Sequence, residues 1–169
     1  MKLAKSLDRL GTESAFSVLA EAKKLEAKGK PMIHLGLGQP DFKTPKHIVD
    51  AAKKALDDGH HGYVLSNGIL ECRQAVTRKI KKLYNQDIDP ERIIIMPGGK
   101  PTMSYAIQCF GEPGVEIVHP TPAFPIYESM INFTGAKPVP YDLTEDKDLK
   151  FNPEKILSLI TEKTKLLIL

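Results

Sequence analysis

The sequence is short of most features that announce a specialised chain. It has only two cysteines, Cys72 and Cys109, which form neither a CxxC nor a metal-ligand spacing. A disulfide framework and a zinc site are therefore excluded, and both positions fall in apolar helical patterns, where buried reduced thiols are expected. His60 and His61 are adjacent, so they would not share a face, and no other histidine stands at a ligand spacing from them; no metal is expected. No apolar run approaches the roughly 18 residues that span a bilayer, and Met1-Lys2-Leu3-Ala4-Lys5 has no apolar core of a signal peptide. The expectation is a cytoplasmic protein without a membrane partner. The net charge is only +3. Lysines such as Lys53, Lys54, Lys79, Lys81 and Lys82 read as solvated helix faces rather than a nucleic-acid patch. No internal repeat or low-complexity tract occurs. Nucleotide-binding signatures are missing too. A Walker A loop ending at Lys100 would need glycine where Ile94 stands and Ser or Thr where Pro101 stands, and there is no GxGxxG.

What is present is an ordinary globular composition, 41% hydrophobic and 27% charged over 169 residues, enough for a real core. Thr12 to Lys28 reads as a helix through Phe16, Leu19, Ala20, Ala22 and Leu25, stopped by Gly29 and Pro31. Thr44 and Pro45 open the next helix as N-cap and N1, and Gly59 ends it. Ile69 to Tyr84 is amphipathic, with Cys72, Val76, Ile80 and Leu83 as its stripe. Further helices are expected at Pro101 to Phe110, Phe124 to Phe133 and Glu154 to Ile160, the last capped by Asn152-Pro153. Strands are expected at Met32 to Leu35, Arg92 to Met96, Val115 to Val118, Lys137 to Val139 and Lys165 to Leu169. Alternating strands and helices from Arg92 onward specify an α/β fold with a mainly parallel sheet, in which ligands bind at the carboxyl ends of strands.

Two motifs fall at such strand ends. Gly98-Gly99-Lys100-Pro101 joins a strand to a helix: glycines let the backbone approach a ligand, and the unpaired N–H groups of the helix start favour a phosphate. The pattern alone leaves anion binding and plain turn geometry equally open. Phe124 follows a strand in Pro120-Thr121-Pro122-Ala123-Phe124-Pro125-Ile126-Tyr127; on structure alone it reads as core packing. Tyr63 lies in Gly62-Tyr63-Val64-Leu65-Ser66-Asn67-Gly68, a loop between helices, and reads by itself as a half-buried tyrosine. Gly38 belongs to Gly36-Leu37-Gly38-Gln39-Pro40-Asp41-Phe42; its Gly-x-Gly is weak without the Pro-Asp-Phe that follows.

In this order and spacing the segments resemble the amino-terminal half of a fold-type I, pyridoxal-phosphate (PLP)-dependent aminotransferase of class I/II, in its aspartate aminotransferase-like branch. The resemblance runs from about Leu19 to the end. It implies an incomplete three-layer αβα PLP-transferase fold. Residues 1–45 would be an arm and part of a small domain, and 46–169 the first part of the large PLP-binding domain. It implies that Gly98, Gly99 and Lys100 form the phosphate cup and that Phe124, followed by Pro125, stacks on the pyridine ring. Tyr63, as the tyrosine of Tyr-x4-Gly, would bond the cofactor phosphate of a neighbouring subunit, making a homodimer with shared sites. Gly38 would lie beside the substrate α-carboxylate. The substrates implied are an amino acid and a 2-oxo acid. Cys72, Met96 and Gly114-Val115-Glu116 depart from the family pattern at packing or loop positions and remove no ligand.

The resemblance also implies an absence. The family's Schiff-base lysine, the aspartate that keeps the pyridine nitrogen protonated and the arginine that clamps the α-carboxylate fall beyond Leu169 in its order, and no lysine here matches the first of them. The expectation is a chain that is inactive alone and marginal or aggregation-prone, with unpaired strand edges. Two alternatives remain at this point: a non-catalytic dimerisation or interaction module, and another reaction of the same scaffold, such as a C–S lyase or synthase.

Overall fold

The computed structural model describes residues 2–11, 14–143 and 149–169, with side chains in the first helix described from Ser17 onward. The expected helix start at Thr12 and the side chain of Phe16 lie outside the described residues. In chain order the elements are a 3-10 turn Lys5–Arg9, α1 Ser14–Ala27, α2 Lys46–Asp57, α3 Leu70–Tyr84, a 3-10 turn Pro90–Arg92, α4 Gly99–Phe110, β1 Glu116–Thr121, α5 Ile126–Thr134, β2 Lys137–Asp142, α6 Pro153–Leu159 and β3 Thr164–Leu167. They form two compact units, one of Met1–Gly36 with Gly98–Leu169 and one of Leu37–Pro97.

The first unit is built on a parallel sheet of order β2-β1-β3. β1 is central, and successive side chains of a strand point to opposite faces. Ile117 therefore packs with Ile107 of α4 and Ile131 of α5, while Val118 packs on the other face with Tyr141 of β2 and Ile156 of α6. Each such side chain, fully buried, contributes about 1.5–3 kcal/mol. Polar ties set the periphery. Glu116 accepts from Lys137 Nζ at 2.8 Å and from Thr161 Oγ1 at 2.8 Å, joining the start of β1 to β2 and to the turn before β3. Arg9 donates to the carbonyls of Asn132 and Phe133 at 2.8 Å each, meeting the negative end of α5 with a cation. Asn152 caps α6, its side chain accepting from the N–H groups of Glu154 and Lys155.

The second unit holds α2 and α3. α2 has no buried residue. α3 buries Arg73, whose guanidinium donates to Gly68 O at 3.2 Å, Pro90 O at 3.0 Å and Glu91 Oε1 at 2.7 Å. Gly68 itself has φ +93°, and a Cβ there would meet Ile95 at 2.8 Å, so both backbone conformation and space require glycine.

Several expectations are corrected. Met32 to Leu35 and Arg92 to Met96 form no strand; Pro90–Arg92 is a 3-10 turn, and after it Ile95 N–H donates to Asn67 O at 3.1 Å without joining a sheet. A strand borrows its hydrogen bonds from a neighbour, and among the described residues no strand lies beside either segment, leaving Ile33, Leu35 and Ile94 exposed. α2 starts one residue late, with Pro45 rather than Thr44 as its N-cap, and α4 starts two early, placing Pro101 third in the helix. Cys109 is exposed and Cys72 only partly buried. Ile107 is the buried residue of α4, and two residues on, near 200° around the helix, Cys109 faces away.

Candidate functional site

α4 begins at a backbone turn that only glycine adopts easily: Gly98, its N-cap, has φ +98° and ψ +163°. The first turn of a helix carries N–H groups with no internal partner. Pro101 has none to offer, so Gly99 and Lys100 carry the backbone N–H groups at the start of this turn, while Thr102 Oγ1 donates back to Gly98 O at 3.3 Å. No acidic side chain occupies the first turn, and a Cβ on Gly99 would meet nothing closer than Met103 at 3.8 Å. Positive helix end, open approach and no competing carboxylate together suit an external anion.

Phe124 stands in the turn between β1 and α5, past a cis Thr121–Pro122 bond. It is 37% exposed, against the core position expected from the sequence alone. Its ring meets Tyr127 edge-on, centroids 6.3 Å apart at 85°. Lys100 Nζ lies 5.4 Å from the centroid of the same ring, a cation–π arrangement worth roughly 0.5–1 kcal/mol at an exposed position. The structure thus brings Gly98, Gly99, Lys100 and Phe124 into one neighbourhood, an anion-facing helix start beside an aromatic plate. A phosphorylated aromatic cofactor fits this donor set: the N–H groups suit its phosphate and the ring face suits its plane.

Gly38 and Tyr63 belong to the second unit. A Cβ on Gly38 would meet nothing within 4 Å among the described residues. Tyr63 is fully exposed rather than half-buried among the described residues.

Two buried polar residues escaped the sequence reading. Arg73 lies on the stripe of Ile69, Val76 and Ile80, where a charge signals a buried tie rather than a surface. His119 interrupts the apolar run Ile117-Val118 in β1 and is buried. Its Nδ1 lies 3.0 Å from Pro120 O, and since a carbonyl only accepts, Nδ1 carries the proton; Nε2 has no partner among the described residues. Among those residues no group of histidine, cysteine, aspartate or glutamate is placed to hold a metal, and no helix is long and apolar enough to cross a membrane.

A parallel α/β sheet, a helix start open to an anion and Phe124 past the carboxyl end of β1 form an arrangement that suits a phosphorylated ligand, although no strand precedes α4. Residues 30–169 match the family described as aminotransferase class I and II, and the chain belongs to that family. It is 36% identical over 169 residues to an aspartate aminotransferase of Bacillus subtilis, covering 100% of this chain and 43% of that protein. It is 38% identical over 167 residues to a (5-formylfuran-3-yl)methyl phosphate transaminase of Methanocaldococcus jannaschii, covering 99% and 43% respectively. The structure superimposes on aspartate aminotransferase from Thermus thermophilus with maleate at a TM-score of 0.92 and 29% identity, covering 100% of this chain and 44% of that one. The fold is therefore part of a PLP-transferase fold, and the chain spans less than half the length of these relatives.

Proposed function

We propose that this chain supplies the cofactor-receiving part of a PLP-dependent aminotransferase, an enzyme that moves an amino group from an amino acid to a 2-oxo acid. The carrying observation is the first turn of α4, opened by Gly98 with φ +98°, with no acidic side chain in it and with Lys100 Nζ over the ring of Phe124. When bound, PLP supplies an electron sink for the carbon that loses its proton. Gly99 and Lys100 hold its phosphate through backbone donors, and the positive end of α4 favours the dianion. Phe124 fixes the plane of the ring and excludes water from one face. Tyr63, exposed in the second unit, reaches the phosphate of a neighbouring copy in a homodimer. Gly38 leaves room for the substrate α-carboxylate. The names of the relatives favour an acidic substrate of the aspartate type. The lysine that holds the cofactor covalently is supplied from outside these 169 residues, so this chain alone binds PLP without transaminating. A cytoplasmic location goes with this reading.

Equilibrium dialysis against PLP and against pyridoxal tests it. The expected result is binding that needs the phosphate, is competed by inorganic phosphate and is weakened by Phe124→Leu, with no site-specific pyridoxyl-lysine after borohydride. Equal binding of PLP and pyridoxal would sink the phosphate assignment. A single modified lysine would show that the covalent anchor lies in this chain.

A further inference from the structure

Tyr63 is exposed, yet the chain is pinned on both sides of it. Before it, α2 ends in a bonded turn. Gly59, at φ +83°, donates to Leu56 O at 3.0 Å, and His60 N–H donates to Ala55 O at 2.9 Å, which fixes the direction in which the chain leaves the helix. After it, Leu65 to Gly68 is a turn closed by Gly68 N–H, which donates to Leu65 O at 2.9 Å. Two groups clamp this turn from outside. Ile95 N–H donates to Asn67 O at 3.1 Å, and a Cβ on Gly68 would run into the Ile95 side chain. Arg73, in the first turn of α3, donates from Nε to Gly68 O at 3.2 Å. Its Nη1 donates to Pro90 O at 3.0 Å and to Glu91 Oε1 at 2.7 Å, so one buried guanidinium joins the end of the Tyr63 loop to the Pro90–Arg92 turn.

We infer that Arg73 is a positioning residue for Tyr63: it holds Gly68 and, through the Leu65–Gly68 turn, the place from which Tyr63 reaches the phosphate of a neighbouring copy. The inference rests on the proposed role of Tyr63 as a phosphate ligand. A donor serves a phosphate oxygen only over the narrow range of a hydrogen bond, so an exposed ring needs a rigid support. Burial makes this support rigid. An exposed cation would tie the loop weakly, because water competes for it. A buried guanidinium that let go of Gly68 O would leave an unpaired N–H away from water. The planar fork also matters. It presents Nε and Nη1 to two separate stretches of chain at once, which the single ammonium of a lysine cannot reproduce.

Residue-resolved hydrogen exchange on the 169-residue chain, without ligand, tests the support. Arg73→Lys should speed exchange of the Gly68 and Ile95 amides at least about tenfold, the scale of one lost charge-assisted hydrogen bond. The Val76 and Ile80 amides inside α3 should change far less, and Glu91→Gln, which keeps both carbonyl acceptors, should leave Gly68 as it was. Equal acceleration of loop and helix amides, or none at Gly68, would overturn the assignment. A measurement on the unaltered chain covers a variant that fails to fold: the Arg73 Nε–H should exchange slowly and open together with the Gly68 amide, and a freely exchanging Nε–H would overturn the assignment by itself. Equilibrium dialysis against PLP tests the purpose of the support. Tyr63→Phe should weaken binding, Arg73→Lys should weaken it by a similar factor, and the double variant should bind no worse than Tyr63→Phe. Additive losses would show that Arg73 acts apart from Tyr63 and would overturn the inference. If Tyr63→Phe binds PLP unchanged, the phosphate role of Tyr63 fails and the positioning role falls with it, whatever the exchange shows. If Tyr63→Phe weakens binding while the loop amides ignore Arg73→Lys, the inference about Arg73 alone fails.

Discussion

Arg73 ties the start of α3 to two carbonyls and a carboxylate that lie between 5 and 18 positions from it in sequence. Its side chain is 2% exposed, whereas Glu91 is 67% exposed. The carbonyls therefore matter more than the ion pair, which faces water on one side. Arg73→Met should remove the donor to Gly68 O and leave Pro90 O with the Ile93 N–H alone, and cost about 2–4 kcal/mol. Arg73→Lys should recover little, because one ammonium cannot reproduce the fork. Urea titration followed by circular dichroism measures both; a loss below about 0.5 kcal/mol, the scale of surface substitutions, would refute the buried-tie reading. Glu116 gives a pH prediction. Its hydrogen bonds from Lys137 and Thr161, with the nearby positive charges of Lys137 and Lys163, hold its carboxyl below the ordinary value of 4.5. A depressed native pKa stabilises the fold above the unfolded value and is lost as pH falls through the native one. Stability should therefore decline on acidification below about pH 4.5, and Glu116→Gln should flatten that decline; an unchanged acid limb in the variant would contradict it. The sequence showed Gly98 to Lys100 because glycine and position betray a turn. It hid Arg73 because a charged residue on a lysine-rich helix reads as surface until its carbonyl partners are known.

Helices were legible and isolated strands were not, for one physical reason. A helix closes its hydrogen bonds within itself, so the period of its apolar residues and its capping residues announce it. α6 illustrates this: Asn152 was expected as a cap and is one, accepting from Glu154 and Lys155 N–H. Asn152→Ala should cost about 1 kcal/mol, a large share of what a seven-residue helix contributes. Thermal melts would show it, and an unchanged midpoint would mean that packing of Ile156 alone holds α6. Strands depend on what lies beside them. Arg92 to Met96 has the composition of a strand, yet has no strand beside it among the described residues and is none. β1 extends three residues past the expected Val118, to Thr121, even through Pro120. Pro120 faces the β3 side, as Val118 does, but lies beyond the last paired residues there, so its missing N–H leaves no ladder position empty. β2 likewise runs on to Asp142 because its prolines occupy the outward positions.

At the scale of the whole molecule, apolar burial is unevenly shared. Both core clusters, with Ile107, Ile117, Val118, Ile131 and Ile156, lie in the unit that contains the sheet. In the other unit the buried residue among those described is Arg73, and α2 exposes Ile48 and Leu56 although its apolar residues share one face. A helix of this length is marginal in water without tertiary packing, so α2 should open far more readily than β1 or α5. Each buried isoleucine of the sheet unit contributes about 1.5–3 kcal/mol, and a difference of two such residues amounts to at least roughly two decades of protection. Native-state hydrogen exchange should therefore find the amides of α2 exchanging at least about 100-fold faster than those of Ile117 and Val118. If the proposed site is right, adding PLP should raise protection in the first turn of α4, at Gly99 and Lys100, and leave β1 nearly unchanged. If α2 and β1 exchange at the same rate, the chain opens as one cooperative body, and its stability does not follow the distribution of buried apolar side chains.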